Sequence, residues 1–160
     1  MGVLMDLVAG DAREILLAIG VDDWNGLSDR GRFSAHVSLG GRMDPTWLDL
    51  LARACREVSG GDAPGSFSDA CRSLHDRRGR LGDAVDATVE RVDPRWIDDM
   101  AALRDRQVGV VAARWIELID DEECPVDSED KPTLRSVAEE LVSFCRLARG
   151  AEDVLLVWSI

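Results

Sequence analysis

The sequence predicts an α+β fold: a helix-rich single domain over residues 1–160, with a small sheet that includes the N-terminal and C-terminal strands. Three observations carry this prediction. An amphipathic stretch, TLRSVAEELVSFCRLAR, ends at Gly150 and is followed at once by the apolar run VLLVWS. Two Asp-Pro pairs, at 44–45 and 93–94, each precede an apolar segment with helical spacing. Short apolar or alternating segments, which predict the strands of the sheet, lie at 2–8, 84–92 and 153–159.

The first part of the chain predicts a strand, a short helix and a second strand. Residues 2–8 are apolar except for Asp6, which is typical of a strand. Asp11 followed by Glu14 forms a start similar to a capping box, and the apolar run ILLAI follows before the next glycine. Residues 33–39 alternate between apolar and polar side chains, so we expect a further strand there.

The middle of the chain predicts two helices and a strand. Asp44 can accept hydrogen bonds from the first backbone N–H groups of a helix, and Pro45 suits the first helical position. We expect this helix to end at Ser59-Gly60-Gly61. A second short helix is predicted from Phe67 to His75, before the polar and exposed stretch DRRGRLG. The alternation in AVDATVERV predicts a strand over 84–92.

The last part of the chain predicts three helices and a terminal strand. Asp93-Pro94 begins the first helix, WIDDMAAL, and a longer helix follows near 107–120. Lys131-Pro132 begins the final helix, and the run VLLVWS after it is apolar enough for a central or well-covered strand. The predicted core contains Leu16, Trp47, Leu51, Cys55, Trp96, Val111, Trp115, Leu141, Phe144, Leu155 and Val157.

The two Asp-Pro helix starts resemble each other. MDPTWLDLLA and VDPRWIDDMA share Asp-Pro-x-Trp at an offset of 49 residues. Two explanations stay open: a duplicated unit, or the same helix-start chemistry used twice, with an Asp cap, a proline and a core-facing Trp.

Composition and charge limit the classes of partner. The 160 residues are 46% hydrophobic and 31% charged, which is typical of a soluble globular protein. The formal net charge of −12 argues against nucleic acid and anionic membrane as partners, and it permits a basic protein partner. No apolar run reaches 18 residues, and the N-terminus lacks the basic region of a signal peptide. We therefore expect a cytoplasmic protein.

The residues that commonly carry chemistry are few. The four cysteines have no C-x-x-C spacing, so we expect free thiols and no disulfide. His36 and His75 are the only histidines; Cys71 and His75 would share one face of a helix, which is half of a metal site with no second pair in the sequence. Phosphate-loop, dinucleotide-binding, zinc-protease and nucleophile-elbow motifs are absent from the sequence. We expect no cofactor and no metal.

Two charged stretches are candidate interaction surfaces. The sequence DDEECPVDSED contains seven carboxylates and no basic residue, and four of them follow directly on a predicted helix end. Negative charge is unfavourable at a helix C-terminus, and it is favourable before the next helix start. The run around 72–80 is a basic island, which is either a solvated loop or a surface for an acidic partner or a phosphate. The candidate partner-binding residues are Asp120, Asp121, Glu122, Glu123, Asp127, Arg77 and Arg78.

The two ends of the chain resemble a known family. The opening MGVLMDLVAGDAREILLAI is similar to the start of the YfbM-like proteins, a bacterial family of unknown function, which begin with Met-Gly, a short apolar strand and a capped helix. The closing order is similar too: ERVDPRWIDDM, a long helix, a second amphipathic helix and the short strand DVLLVWSI. Residues 21–42 depart from the family pattern. The resemblance implies a compact α+β domain of the bacterial cytoplasm, and it implies no activity and no site residues.

The sequence favours a non-enzymatic protein that acts by protein–protein interaction. A specific form is an acidic immunity-type protein, whose negative surface blocks the basic active site of a toxin. The alternative is a small-ligand-binding protein or enzyme, with a site formed by His, Arg and carboxylate side chains. A third option is a scaffold or dimer. The sequence leaves the oligomeric state open.

Overall fold

The computed structural model describes residues 4–40, 43–60, 63–76 and 87–159, and the predicted fold class is confirmed. These residues form six α-helices, a five-stranded antiparallel sheet and a short 3-10 helix at Asn25–Ser28. The strands are β1 (Leu4–Gly10), β2 (Ala35–Ser38), β3 (Cys71–Asp76), β4 (Ala87–Val92) and β5 (Asp153–Ser159). The helices are α1 (Ala12–Gly20), α2 (Pro45–Ser59), α3 (Phe67–Ala70), α4 (Pro94–Ala101), α5 (Asp105–Glu122) and α6 (Lys131–Ala148).

The chain divides into two compact units, each assembled from segments that are separated in the sequence. The first, called here the sheet unit, contains the five strands and α1. The second, called the helical unit, contains α2 to α5 and most of α6. Because the chain passes from one unit to the other several times, no single cut releases either of them. That residues 1–160 form one domain stays a prediction.

The sheet has the strand order β2-β1-β5-β4-β3, and β5 is therefore its central strand, as the apolar run VLLVWS predicts. Leu155 of β5 lies opposite Val8 of β1, and Val157 lies opposite Val89 of β4. All three of these β-strands thus contribute to one buried face. The core on that face joins them to α1 and the segment after it, through Val8, Ile15, Ala18, Ile19, Leu27, Phe33, Ala87, Val89, Leu155 and Val157.

Local capping chemistry sets the ends of α1 and α2. The Oδ1 atom of Asp11 accepts hydrogen bonds from the backbone N–H groups of Arg13 (2.7 Å) and Glu14 (3.2 Å). Asp44 accepts from the backbone of Thr46 at 2.9 Å, and Pro45 follows it as the first helical residue. Gly60 ends α2 with a φ of 75°, in the left-handed conformation that a glycine adopts without steric cost. Both helix starts are confirmed.

In the helical unit, α2 and α5 pack against each other through a buried indole. The Trp115 side chain has no solvent exposure, and its Nε1–H donates to the Trp47 carbonyl oxygen at 2.7 Å. The hydrogen bond removes the desolvation cost of burying this N–H.

Nine of the eleven predicted core residues are buried; Leu16 and Trp47 are half-buried. The helix predicted over 107–120 is confirmed, with four further residues across its two ends.

One predicted helix is wrong in its second half. The segment predicted as a helix from Phe67 to His75 forms only the four-residue α3, and Cys71–Asp76 is strand β3. β3 pairs with β4 in an antiparallel ladder, with a bulge between Ser73 and His75. The ladder supplies hydrogen bonds that the sequence of the segment does not reveal, and these decide against the helix.

Among the described residues, no helix has the length and apolar character needed to cross a membrane.

Candidate functional site

The acidic segment, residues 120–130, begins in the last turn of α5 and ends before α6. Asp120 fixes its conformation, because its Oδ1 accepts a hydrogen bond from the backbone N–H of Val126 at 2.7 Å. The Oδ2 atom of the same carboxylate lies 3.9 Å from Nζ of Lys131. The Asp120 carboxylate therefore joins the end of α5 to the loop and to the start of α6, so it already has partners within the protein.

Glu122 also has a partner within the protein. Its Oε1 atom lies 2.6 Å from Nη1 of Arg53 on α2, and this hydrogen bond raises the pKa of the guanidinium. Arg53 further contacts Glu57 at 3.2 Å, and Arg114 of α5 donates to the other oxygen of Glu57 at 2.6 Å. The hydrogen bond from Arg114 holds the pKa of the Glu57 carboxyl below its usual range. This chain of ion pairs is solvent-exposed, so each pair stabilises the fold only slightly.

Three of the predicted partner-binding carboxylates are free of such contacts. Asp121, Glu123 and Asp127 are exposed, and none of them makes a side-chain hydrogen bond or ion pair with another residue in the described ranges. The remaining two predicted residues, Arg77 and Arg78, lie outside the described residues. The structure thus separates the predicted set into two structural carboxylates and three that are available to a partner.

A second arrangement lies on the sheet and was not predicted. Asp6 and His36 lie on the neighbouring strands β1 and β2, where Asp6 pairs with Ser38 and Val8 pairs with His36. The Nε2 atom of His36 is 3.6 Å from Oδ1 of Asp6. That oxygen is fully buried and accepts no hydrogen bond from the described residues. A buried carboxylate oxygen without a partner is costly, and such atoms are frequently functional.

The sequence contains one signal for this pair. Asp6 is the only charge in an otherwise apolar strand, and four other residues of that strand are fully buried. The partner cannot be identified from the sequence, because it depends on the register between β1 and a strand some thirty residues later.

The predicted half metal site is not formed as expected. Cys71 and His75 lie on strand β3, not on a helix, so the i, i+4 spacing does not place them on one helical face. Within the described ranges, no group of three His, Cys, Asp or Glu side chains is placed to hold a metal ion. The four cysteines form no disulfide with one another. Burial raises the pKa of the Cys55 thiol to about 12, and it also raises the pKa of Cys145.

Comparison of the chain with protein-family models, with curated proteins and with solved structures finds no match. The resemblance to the YfbM-like family therefore stays a prediction.

Proposed function

We propose that the protein acts by protein–protein interaction and binds a basic partner through the acidic segment, in the manner of an immunity protein that covers a basic active site. The observation that carries the proposal is the state of its carboxylates. Asp121, Glu123 and Asp127 are exposed and make no ion pair with any side chain that the structure describes, while Asp120 fixes the backbone that presents them. A surface that is charged and conformationally fixed before binding gives electrostatic complementarity with little ordering cost.

The net charge supports the same proposal. With 31 acidic and 19 basic side chains, the protein attracts a cationic partner from a distance, and this increases the rate of association at low salt. The surface around Glu122 contributes less, because Arg53 already neutralises that carboxylate at 2.6 Å. The partner's basic groups are therefore expected to meet Asp121, Glu123 and Asp127 rather than the whole acidic segment.

The test is affinity capture from the host cytoplasm, followed by measurement of the association rate of the purified partner at two salt concentrations. We expect a basic partner whose association slows as salt increases. The triple variant Asp121→Asn, Glu123→Gln and Asp127→Asn should weaken binding by at least about tenfold, which is about 1.4 kcal/mol. Equal binding by this variant and the unchanged protein would falsify the proposal.

A control variant removes the same number of charges elsewhere. Glu14→Gln, Glu139→Gln and Glu152→Gln also remove three exposed carboxylates, which make no ion pair with another residue in the described part of the chain. Because the net charge of the two variants is identical, general electrostatic attraction falls equally in both. If the control variant loses as much affinity as the first, the interaction depends on net charge and not on the acidic segment.

The Asp6–His36 pair favours a second candidate function, an enzyme or small-ligand-binding protein. A histidine beside a carboxylate is the usual arrangement of a general base. The test is a screen of ester, amide and phosphoester model substrates with the unchanged protein, the His36→Gln variant and the His75→Gln variant. Activity that is lost in His36→Gln and kept in His75→Gln supports this candidate. If the protein hydrolyses none of the three bond types, this candidate function is rejected.

A further inference from the structure

The helical unit contains a pocket that neither candidate function uses. Its volume is about 350 Å³, at the lower end of the range of about 300–1,000 Å³ that is typical of small-ligand pockets. Ser59 at the end of α2, Asp99 of α4 and Gln107 in the first turn of α5 line it. Ala102, Leu103 and Arg104, from the connection between α4 and α5, also line it.

One atom in this pocket lacks a partner. The Oγ atom of Ser59 is buried and makes no hydrogen bond with the described residues. Burying a hydroxyl without a hydrogen bond is unfavourable, because its contacts with water are lost and not replaced. Because Ser59 lines the pocket, a ligand with a polar group could satisfy this hydroxyl.

The pocket also contains one positive and one negative side chain that are not paired. Neither Arg104 nor Asp99 makes a side-chain ion pair or hydrogen bond with another residue of the described ranges. The amide oxygen of Gln107 accepts a hydrogen bond from the Arg104 backbone N–H at 3.0 Å, so the amide nitrogen is the group left for a ligand. The polar lining thus offers donors from Arg104 and Gln107, and an acceptor from Asp99.

The connection that holds Arg104 is fixed from α6. Nη2 of Arg146 donates to the Leu103 carbonyl oxygen at 2.5 Å, and Nη1 of the same side chain lies 2.7 Å from Asp105. The Leu103 side chain is itself buried. The Leu103 carbonyl and, through Gln107, the Arg104 backbone N–H are therefore held before any ligand arrives, which lowers the entropy cost of binding.

We propose that this pocket binds a free amino acid as its zwitterion. The ligand carboxylate would pair with the Arg104 guanidinium, whose planar donors match a carboxylate. The ligand ammonium group would pair with Asp99. A ligand with a single charge would leave one of these two side chains without a partner, so a zwitterion satisfies the pocket better than a simple anion or cation. This proposal does not depend on the acidic segment or on the Asp6–His36 pair.

The test is titration of the ¹⁵N-labelled full chain with L-alanine, L-leucine and L-glutamine, followed through its backbone amide signals. We expect at least one of the three to shift signals of residues 59 and 99–107. Acetate and ethylamine, which each carry one half of the zwitterion, should bind at least about tenfold more weakly. Acetate that binds as tightly as the best amino acid overturns the proposal, and so does the absence of shifts with all three amino acids.

Variants locate the binding in the pocket. Arg104→Gln and Asp99→Asn should each weaken binding of the best amino acid by at least about tenfold. Arg106→Gln removes an exposed arginine that does not line the pocket. The affinity of this variant for the best amino acid should stay within about twofold of that of the unchanged protein. If Arg106→Gln weakens binding as much as Arg104→Gln, the amino acid is bound elsewhere and the assignment is wrong.

Discussion

Replacement of Leu155 by alanine tests whether β5 is the centre of the sheet unit. Leu155 has no solvent exposure and lies between Val8 of β1 and Arg91 of β4 in the sheet register. The change removes three carbon groups at about 0.8 kcal/mol each, or about 2.4 kcal/mol of transfer free energy. A residual cavity adds to this loss, because a strand that is hydrogen-bonded on both sides relaxes little. We expect Leu155→Ala to lower the free energy of unfolding by about 3–4 kcal/mol.

The measurement is urea denaturation followed by tryptophan fluorescence, with the m-value compared between variants. Leu17→Ala is the matched control, because it makes the same chemical change in the same unit at a side chain that is 63% exposed. Its effect should stay within about 0.5 kcal/mol. If Leu155→Ala costs under about 1 kcal/mol, or no more than Leu17→Ala, the central position of β5 is wrong.

Three further results are expected. Truncation after Arg149 removes the central strand and should leave a chain without a cooperative unfolding transition, as judged by circular dichroism; a cooperative truncated form would show that β5 is peripheral. A thiol reagent should modify the exposed Cys124 in the native protein, and Cys55 and Cys145 only after unfolding, which mass spectrometry distinguishes. Asp49→Ala should destabilise the protein by about 1 kcal/mol at pH 7, measured by urea denaturation, and by less at pH 3; an equal loss at both pH values would contradict the role of its charge.

The sign of the Asp49 effect follows from its hydrogen bonds. Burial alone would raise the pKa of this carboxyl, but hydrogen bonds from the Ser68 hydroxyl (2.5 Å), the Ser68 backbone (2.9 Å) and the Ser66 hydroxyl (2.8 Å) lower it below its ordinary value of 3.8. A carboxyl with a lowered folded-state pKa contributes stability above its unfolded-state pKa. That contribution is lost as the pH falls from about 3.8 through the folded-state pKa.

The helix starts could be predicted because their chemistry is local. Asp44 and Pro45 specify the first turn of α2 within two residues, and Gly60 specifies its end. The short helix α3 and strand β3 could not be predicted, because both depend on distant groups. Asp49 accepts the hydrogen bonds of the first α3 residues from about 19 positions earlier, and β4 provides the ladder for β3 from beyond residue 86. The apolar spacing in FSDACRSLH fits a helix equally well, so tertiary pairing decides the outcome.

The same distinction between local and distant contacts applies to the candidate sites. The seven carboxylates of the acidic segment are visible in the sequence, and so is their position at a helix end. That Glu122 is engaged is decided by Arg53, which lies 69 positions before it in the sequence. The Asp6–His36 pair and the pocket around Ser59 depend on contacts between separate strands and helices. The sequence therefore indicates an acidic surface at residues 120–130. Only the fold distinguishes the carboxylates that have partners within the protein from those that are available to another molecule.

The position of the free carboxylates is itself an argument for function. α5 has no basic residue in its last turn, so four acidic side chains lie at the negative end of its dipole. Each uncompensated charge there costs about 0.3–1 kcal/mol at low ionic strength. Asp120 and Glu122 offset this cost through Val126, Lys131 and Arg53, and Asp121 and Glu123 do not. Because stability alone disfavours acidic residues at these two positions, they are the positions where the proposed basic partner would offset a cost that the described residues leave uncompensated.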